Sequence, residues 1–583
     1  MKKSGAEMIV SFLEMNEIKT VFGIPGSSNL PLYDALSKSN IQHVLVGHEQ
    51  AAGFMAQGFT RSTGKTAVCL ATSGPGLTNL LTAIADSFLD SIPIVAITGQ
   101  VPSHLIGSQA FQELDTERLT ASITKKCFIV QEASALHQIL PLAFSLAQSG
   151  RPGPVLIDIP KDVQNQQVEY QGFTNPYAID FLKKRIDDKQ IESAVSLINA
   201  SKNPLLLIGG GLIEAHASEA LTAFSEKFIL PIASTLRGLG AVDPNHPNYL
   251  GMIGMHGNKR LNEWSDDVDL LIALGVRFGD RTTGLVREFF PNAQVIHVNI
   301  DPLELNKTKQ SHLPIAGDLH QFLRQMINQP IEKKAIAFNN QKAANTASVD
   351  SSSHKVSNAS PTNALTSSSL SSAAHSPRSI LECIAQMVPS DTIVTTDVGQ
   401  HQMWVAQYYP FSKPRTFITS AGLGTMGFGL PAAIGASIAF PDKKIVCITG
   451  DGSFLMNIQE LATLRKLQSN ISIFIFNNQG LGLVRQQQRL FFENNLYASD
   501  FGAAIDFHVI AQGFGINAMR LDHTITMEKA IQQTLSQQGP CLLDLPIEKN
   551  WNVLPMVPPG AAIKTMIDEK SFEYGFDNVK QIR

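Results

Sequence analysis

Residues 444–480 read KIVCITGDGSFLMNIQELATLRKLQSNISIFIFNNQG. An apolar, β-branched run from Ile445 to Ile448 ends in Gly450-Asp451-Gly452-Ser453. A helical pattern follows, and a second apolar run from Ile471 to Phe476 ends in Asn477-Asn478. This is a β-α-β unit with polar groups at the carboxyl ends of both strands, where open α/β sheets bind ligands. Asp451 offers a hard carboxylate oxygen and Asn478 an amide oxygen, donors that suit Mg2+. The glycines let the backbone approach a diphosphate closely, and the helix N-terminus after Ser453 favours negative charge. The stretch therefore predicts a Mg-diphosphate site. A bare Gly-Asp-Gly is usually only a turn; its pairing with Asn-Asn at the end of the next strand carries the reading.

The rest of the chain fits a multidomain enzyme. Its 583 residues suit several domains, and 44% hydrophobic with 16% charged residues suits a globular protein with ample core. A net charge of −4 leaves no polybasic surface, which argues against nucleic acid as a partner. Cys69, Cys127, Cys383, Cys447 and Cys541 show no paired spacing and several sit in apolar runs. They read as reduced, buried thiols in a cytoplasmic protein. No apolar run reaches membrane-spanning length. The basic start MKK is interrupted by Glu7, Glu14 and Glu17, so it reads as an amphipathic helix rather than a signal peptide.

Three α/β units follow in order. In the first, 1–180, helices over 4–17, 50–61 and 77–88 alternate with strands at Gln42–Val46, Thr66–Ala71, Ile94–Thr98 and Val155–Ile159. In the second, 185–330, helix 190–199 leads to strand Pro204–Ile208, which ends in Gly209-Gly210-Gly211. Further strands fall at 229–233, 268–274 and 294–300. Residues 331–378, rich in Ser, Ala and Asn, read as a loosely attached linker without chemistry. The third unit spans 379–560 and holds the opening stretch, and 561–583 form a polar tail. The alternation predicts three doubly wound, mostly parallel sheets.

The Gly-Asp-Gly…Asn-Asn pair resembles the thiamine diphosphate motif of the pyruvate decarboxylase and acetolactate synthase superfamily. Further stretches narrow the resemblance: HEQAA (48–52), ATSGPGLTN (71–79), DSIPIVAITGQV (90–101), GSQAFQE (107–113), SGRPGPVLIDIPKDVQ (149–164), TTDVGQHQMW (395–404), SAGLGTMGFGLPAAIGA (420–436) and WNVLPMVPPGA (551–561). Together they resemble the catalytic large subunit of acetohydroxyacid (acetolactate) synthase, over essentially the whole chain outside the linker.

That resemblance implies roles by position. Glu49 is the carboxyl group that activates the cofactor at its pyrimidine nitrogen. Gly399, Gln400 and His401, with Gly452 and Ser453, hold the diphosphate. Gly424 offers its carbonyl to the aminopyrimidine and Met426 supports the bent cofactor. Asp451, Asn478 and the Gly480 carbonyl bind Mg2+. FAD, which does no net redox work in the family, falls to Arg151, Gly209, Gly210, Gly211, Thr235, Leu236, Met255, His256, Gly275, Arg277, Asn299, Ile300, Gly317 and Asp318. Taken singly, a Gly-Gly-Gly is as often a tight strand-to-helix turn, Met426 reads as core and His401 as a helix start. Asn299 stands where the family usually has Asp, and its amide can still hydrogen-bond a ribose or ring edge.

Substrate contacts carried over the same way are Arg281, whose guanidinium can grip a carboxylate bidentately, Gln112 and Lys161, with Phe111, Gly26 and Ser27 at the pocket. Three departures touch specificity: Gly279 replaces an acid, Ile24 and Ser27-Ser28 alter a loop, and Gln487 replaces the family's tryptophan. That indole is associated with preference for 2-ketobutyrate as acceptor. The expectation is a homodimer or larger acetolactate synthase that joins two pyruvates with 2-ketobutyrate also accepted, in branched-chain amino acid biosynthesis, with room for a small regulatory subunit. The rivals are an FAD-free catabolic acetolactate synthase, another thiamine diphosphate decarboxylase or lyase, and a non-catalytic paralogue kept as an assembly partner.

Overall fold

A computed structural model describes residues 2–173, 186–334, 376–502 and 505–569. The expected linker therefore lies outside the described residues over 335–375, and the tail does so over 570–583. The fold is α/β, with three six-stranded parallel sheets and a two-stranded antiparallel ribbon pairing Lys2–Ser4 with Gln167–Glu169.

The chain divides into two compact units. The first joins residues up to 173 with 381–553 and carries two of the sheets. From edge to edge the N-terminal sheet runs Gln42–Leu45, Thr20–Gly23, Ala67–Ala71, Ile94–Gln100, Val155–Pro160 and Lys126–Ile129. The C-terminal sheet runs Phe417–Ile418, Ile393–Thr396, Ile445–Gly450, Ile471–Asn477, Cys541–Pro546 and Asn517–Arg520. Numbered by chain order within each domain, both follow 2-1-3-4-6-5, so both have a topological switch point between their first and third strands. The central strands are buried along their whole length, which is why Ile94–Gln100 and Ile471–Asn477 are continuous apolar runs rather than alternating ones.

One helix pair joins these two domains. Glu49–Thr63 crosses Gly429–Ala439 backbone against backbone. A Cβ at Gly58 would overlap the Ala432 carbonyl, and one at Gly435 would overlap that of Met55. Phe54 meets Phe428 edge to face at 5.3 Å. Val21, Val68, Val95 and Ile157 pack the opposite face of the N-terminal sheet onto the helices Gly5–Met15 and Leu136–Gln148.

The second unit holds the central sheet: Tyr249–Met252, Ile232–Ser234, Pro204–Ile208, Leu270–Leu274, Gln294–Asn299 and Leu313–Ala316. Its order is 3-2-1-4-5-6, that of dinucleotide-binding doubly wound sheets, with the switch point between Pro204–Ile208 and Leu270–Leu274. Residues 554–569 belong to this unit: Val557 N–H donates to the Met255 carbonyl at 2.8 Å, and Met556 bridges to Ile567. All five cysteines are buried thiols, and burial pushes Cys69 and Cys447 up to about 12. Among the described residues no helix is long and apolar enough to cross a membrane.

Candidate active site

Two strand ends flank the switch point of the C-terminal sheet: Thr396, leading into Asp397–His401, and Gly450, leading into Asp451–Ser453. The neighbouring strand ends at Asn477 and delivers Asn478 and Gly480. Asp451 is buried, and its Oδ2 accepts the Gly480 N–H at 2.8 Å. Burial pushes its carboxyl up to about 6, a desolvation that a bound cation reverses. Asn478 Nδ2 donates to Gln400 Oε1 at 3.1 Å, which leaves Asn478 Oδ1 buried without a hydrogen bond. His401 packs against Gly450, where a Cβ would stand 2.8 Å from Nδ1. Burial holds the ring down at about 3, so it is neutral, and its buried Nε2 also lacks a partner.

An orphaned buried polar atom costs about 1–3 kcal/mol, and two of them at strand ends of one sheet suit a ligand that would satisfy both. Both border the N-terminus of helix Gln400–Tyr408, whose free N–H groups favour an anion. A carboxylate, an amide oxygen and a carbonyl make an all-oxygen set that suits Mg2+. Among the described residues no group of three His, Cys, Asp or Glu gathers to suit a transition metal instead. The residues present fit a Mg-diphosphate.

The loop carrying Gly424 and Met426 is suspended between buried acids. Asp397 accepts from the N–H groups of Gly427 at 2.7 Å and Phe428 at 3.2 Å, fixing the start of Gly429–Ala439. Asp90 accepts from Ala421 N–H at 3.0 Å and Gly422 N–H at 2.8 Å, and Asp86 accepts from Ser420 and Thr425 hydroxyls. Arg61 neutralises both, 2.9 Å from Asp90 and 3.3 Å from Asp86. Burial and the neighbouring Asp90 push the Asp86 carboxyl up. Gly424 turns through the left-handed region at φ 71°, and Met426 stands half-buried.

On the N-terminal domain Glu49 opens its helix after His48, which caps Gln50 N–H at 3.1 Å. The Glu49 side chain is nearly buried and its Oε2 accepts Asn79 Nδ2 at 2.9 Å. Its loop is pinned to the C-terminal domain by Gly47 N–H to Glu460 at 3.0 Å and by Asn457 to Gln50 at 3.1 Å. The switch point of this sheet gathers Gly26 against Thr72, Ser28 bonded to Ser73 at 2.7 Å, and Gln112 against Gly74. Gln112 itself has φ 64°, a strained setting for a side chain. Ser27 is exposed, Lys161 is half-buried, and Phe111 is 86% exposed. Gln487 is half-buried on helix Gly482–Phe491. Arg151 bonds Ser91 at 2.8 Å and stacks on Phe88.

The second unit gathers most of the remaining candidates at its own switch point. Gly209 and Gly211 lie so close to Gly275 that a Cβ on either would meet its backbone. Thr235 N–H bonds the Ile208 carbonyl at 2.9 Å and leads into Leu236. Gly210 packs on Arg237, and Gly317 N–H bonds Asn299 O at 3.0 Å. Asp318 caps Leu319–Met326 through Gln321 N–H at 2.9 Å. Asn299 turns inward: its Nδ2 donates to Val276 O at 3.1 Å and its Oδ1 accepts Asp301 N–H at 3.0 Å. Ile300 is 38% exposed, Arg277 half-buried, and His256 is held down at about 4 by burial. Arg281 is exposed beside Met255, with Nη1 to Sδ at 3.3 Å.

The supports of these loops carry little signal in the sequence. Asp397 stands inside the quoted TTDVGQHQMW, but a strand-end acid does not announce five acceptor contacts. Asp86, Asp90 and Arg61 lie on helices whose i, i+4 spacing is legible while their burial is not. Gln486, adjacent to the noted Gln487, carried no signal.

Three family models match, one within each α/β domain: the thiamine pyrophosphate enzyme N-terminal TPP binding domain at 3–119, the central domain at 191–326 and the C-terminal TPP binding domain at 397–545. The fold and site thus define a thiamine pyrophosphate enzyme. The chain is 46% identical over 577 residues to the acetolactate synthase isozyme 1 large subunit of Escherichia coli (strain K12), covering 97% of this chain and 98% of that one. It is 41% identical over 581 residues to a probable acetolactate synthase large subunit of Methanococcus aeolicus, at 97% and 95% coverage. With acetolactate synthase 1, chloroplastic, of Zea mays it shares 41% over 586 residues, at 97% and 89%. The chain belongs to the acetolactate synthase large-subunit family.

Proposed function

We propose that this enzyme decarboxylates pyruvate and joins the resulting two-carbon unit to a second 2-ketoacid, giving acetolactate for branched-chain amino acid synthesis. The observation that carries the reading is the switch-point site, where Asp451, the orphaned Asn478 Oδ1 and the orphaned His401 Nε2 meet a helix N-terminus. Thiamine diphosphate, when bound, supplies the electron sink for loss of CO2. Asp451, Asn478 and the Gly480 carbonyl hold Mg2+, while Gly399, Gln400, His401, Gly452 and Ser453 hold the diphosphate. Glu49 holds a proton at the pyrimidine ring nitrogen, Gly424 accepts from the exocyclic amine, and Met426 supports the ring. Arg281 is read as the grip on the acceptor carboxylate, Gln112 and Lys161 as further substrate contacts, and Gln487 as the residue that makes pyruvate the favoured acceptor.

FAD is the second cofactor of the proposal. The 3-2-1-4-5-6 order of the central sheet and the glycine contacts at its switch point support it. The resemblance implies that Glu49 and Asp451 reach one cofactor from two subunits, so the working form is read as at least a homodimer, cytoplasmic, with a small regulatory subunit as a further partner. Pyruvate turnover with and without added FAD, on wild type and Glu49→Gln, tests the mechanism. Loss of roughly 100-fold or more in Glu49→Gln is expected for a proton-holding group, and full activity in that variant overturns it. Flavin absorbance of the purified protein tests FAD.

A further inference from the structure

We infer that Gln486 is a positioning residue which fixes, through Gln400, the direction in which Asn478 presents its amide oxygen. A side-chain amide has two nearly isosteric ends, and only one of them can ligate a cation. Something must therefore decide which end of Asn478 faces the site.

The decision starts at a backbone, whose polarity cannot flip. Gln486 Oε1 accepts Val553 N–H at 2.8 Å and its Nε2 donates to Val553 O at 3.0 Å, so both ends of this amide are assigned. The same Oε1 accepts from Gln400 Nε2 at 2.9 Å, and that Nε2 also donates to Trp551 O at 2.7 Å. Gln400 must then turn its Oε1 the other way, where it accepts Asn478 Nδ2 at 3.1 Å. Asn478 is left with Oδ1 free, buried and unbonded. Gln486 and Gln400 are 1% and 4% exposed, so water does not compete for these bonds. The last joint is walled by Gly482, where a Cβ would overlap both Gln400 Oε1 and Asn478 Nδ2. Nothing larger than hydrogen fits at 482 without breaking the relay.

The inference rests on the Mg2+ reading of Asn478, and the test separates the two. Mn2+ affinity is measured by electron paramagnetic resonance of the full chain with thiamine diphosphate, in wild type, Gln486→Met, Asn478→Asp and the double variant. Gln486→Met should weaken Mn2+ binding about 10-fold or more, the usual size of an outer-shell loss. In the Asn478→Asp background the same change should have under a threefold effect, because a carboxylate has two equivalent oxygens and no wrong way round. Should Gln486→Met not fold, Gln486→Leu removes the same amide and takes its place in the cycle. An equal loss in both backgrounds overturns the relay, since a merely structural role does not depend on what stands at 478. Absence of Mn2+ binding in wild type overturns the metal reading and the relay with it.

Discussion

Position 487 is where a single side chain sets the proposed acceptor preference. An indole supplies an apolar wall for the extra methylene of 2-ketobutyrate, and a pocket distinguishes one methylene by roughly 1–3 kcal/mol. Gln487→Trp should therefore raise the yield of acetohydroxybutyrate over acetolactate about tenfold or more when pyruvate and 2-ketobutyrate compete. An unchanged product ratio would remove Gln487 from the pocket. His256 makes a second residue-scale prediction. Burial holds its imidazole at about 4, with the Arg281 charge acting in the same direction and a hydrogen bond to Pro555 opposing. The folded ring stays neutral where an unfolded histidine, ordinarily near 6.5, would protonate. Its contribution is thus present above that value and lost as pH falls toward 4. From pH 7.5 to pH 5 wild type should lose ~2 kcal/mol relative to His256→Gln, read by urea unfolding of the cofactor-free protein.

Among elements, the crossing of Glu49–Thr63 with Gly429–Ala439 gives a change of sign. In an exposed helix Gly→Ala stabilises by about 1 kcal/mol. At Gly435 the added methyl meets the Met55 carbonyl, so Gly435→Ala should instead destabilise by about 1–3 kcal/mol in denaturant unfolding. The same elements show what a sequence can carry. Some strands buried on both faces, such as Ile445–Gly450 and Leu270–Leu274, are apolar runs legible to within a residue or two, whereas Ile393–Thr396 and Cys541–Pro546, also buried, are broken by threonines or an aspartate and are not. Edge strands are harder: Lys126–Ile129, Tyr249–Met252, Leu313–Ala316 and Asn517–Arg520 are only four residues long, half exposed, and hold Lys, Gly, Pro, Asn or Arg. Gln42–Leu45, also an edge, was legible because turn residues bracket it. The residues proposed to hold the cofactor are legible as candidates because many of them stand at strand ends in motif order. Their supports, Arg61 with Asp86 and Asp90, are defined by three-dimensional proximity, and no local pattern encodes that.

For the whole molecule, the first unit is assembled from two stretches of chain separated by the entire central domain. Stability should follow the unit and not the order of residues. In native-state hydrogen exchange Gly435→Ala should lower protection along Glu49–Thr63 as well as around itself, and leave Pro204–Ile208 unchanged. Loss confined to 429–439 would show that the two halves open separately. The backbone crossing of Gly58 and Gly435 has a consequence for the order of events during synthesis. These partners are about 380 residues apart, so at ~5–20 residues per second the first waits on the order of 20–75 s for the second. Through that interval Phe54 and Met55, which end fully buried, have no cover from the helix that will face them. The crossing that fastens the two cofactor-binding domains together can therefore form only after the whole central domain has been made.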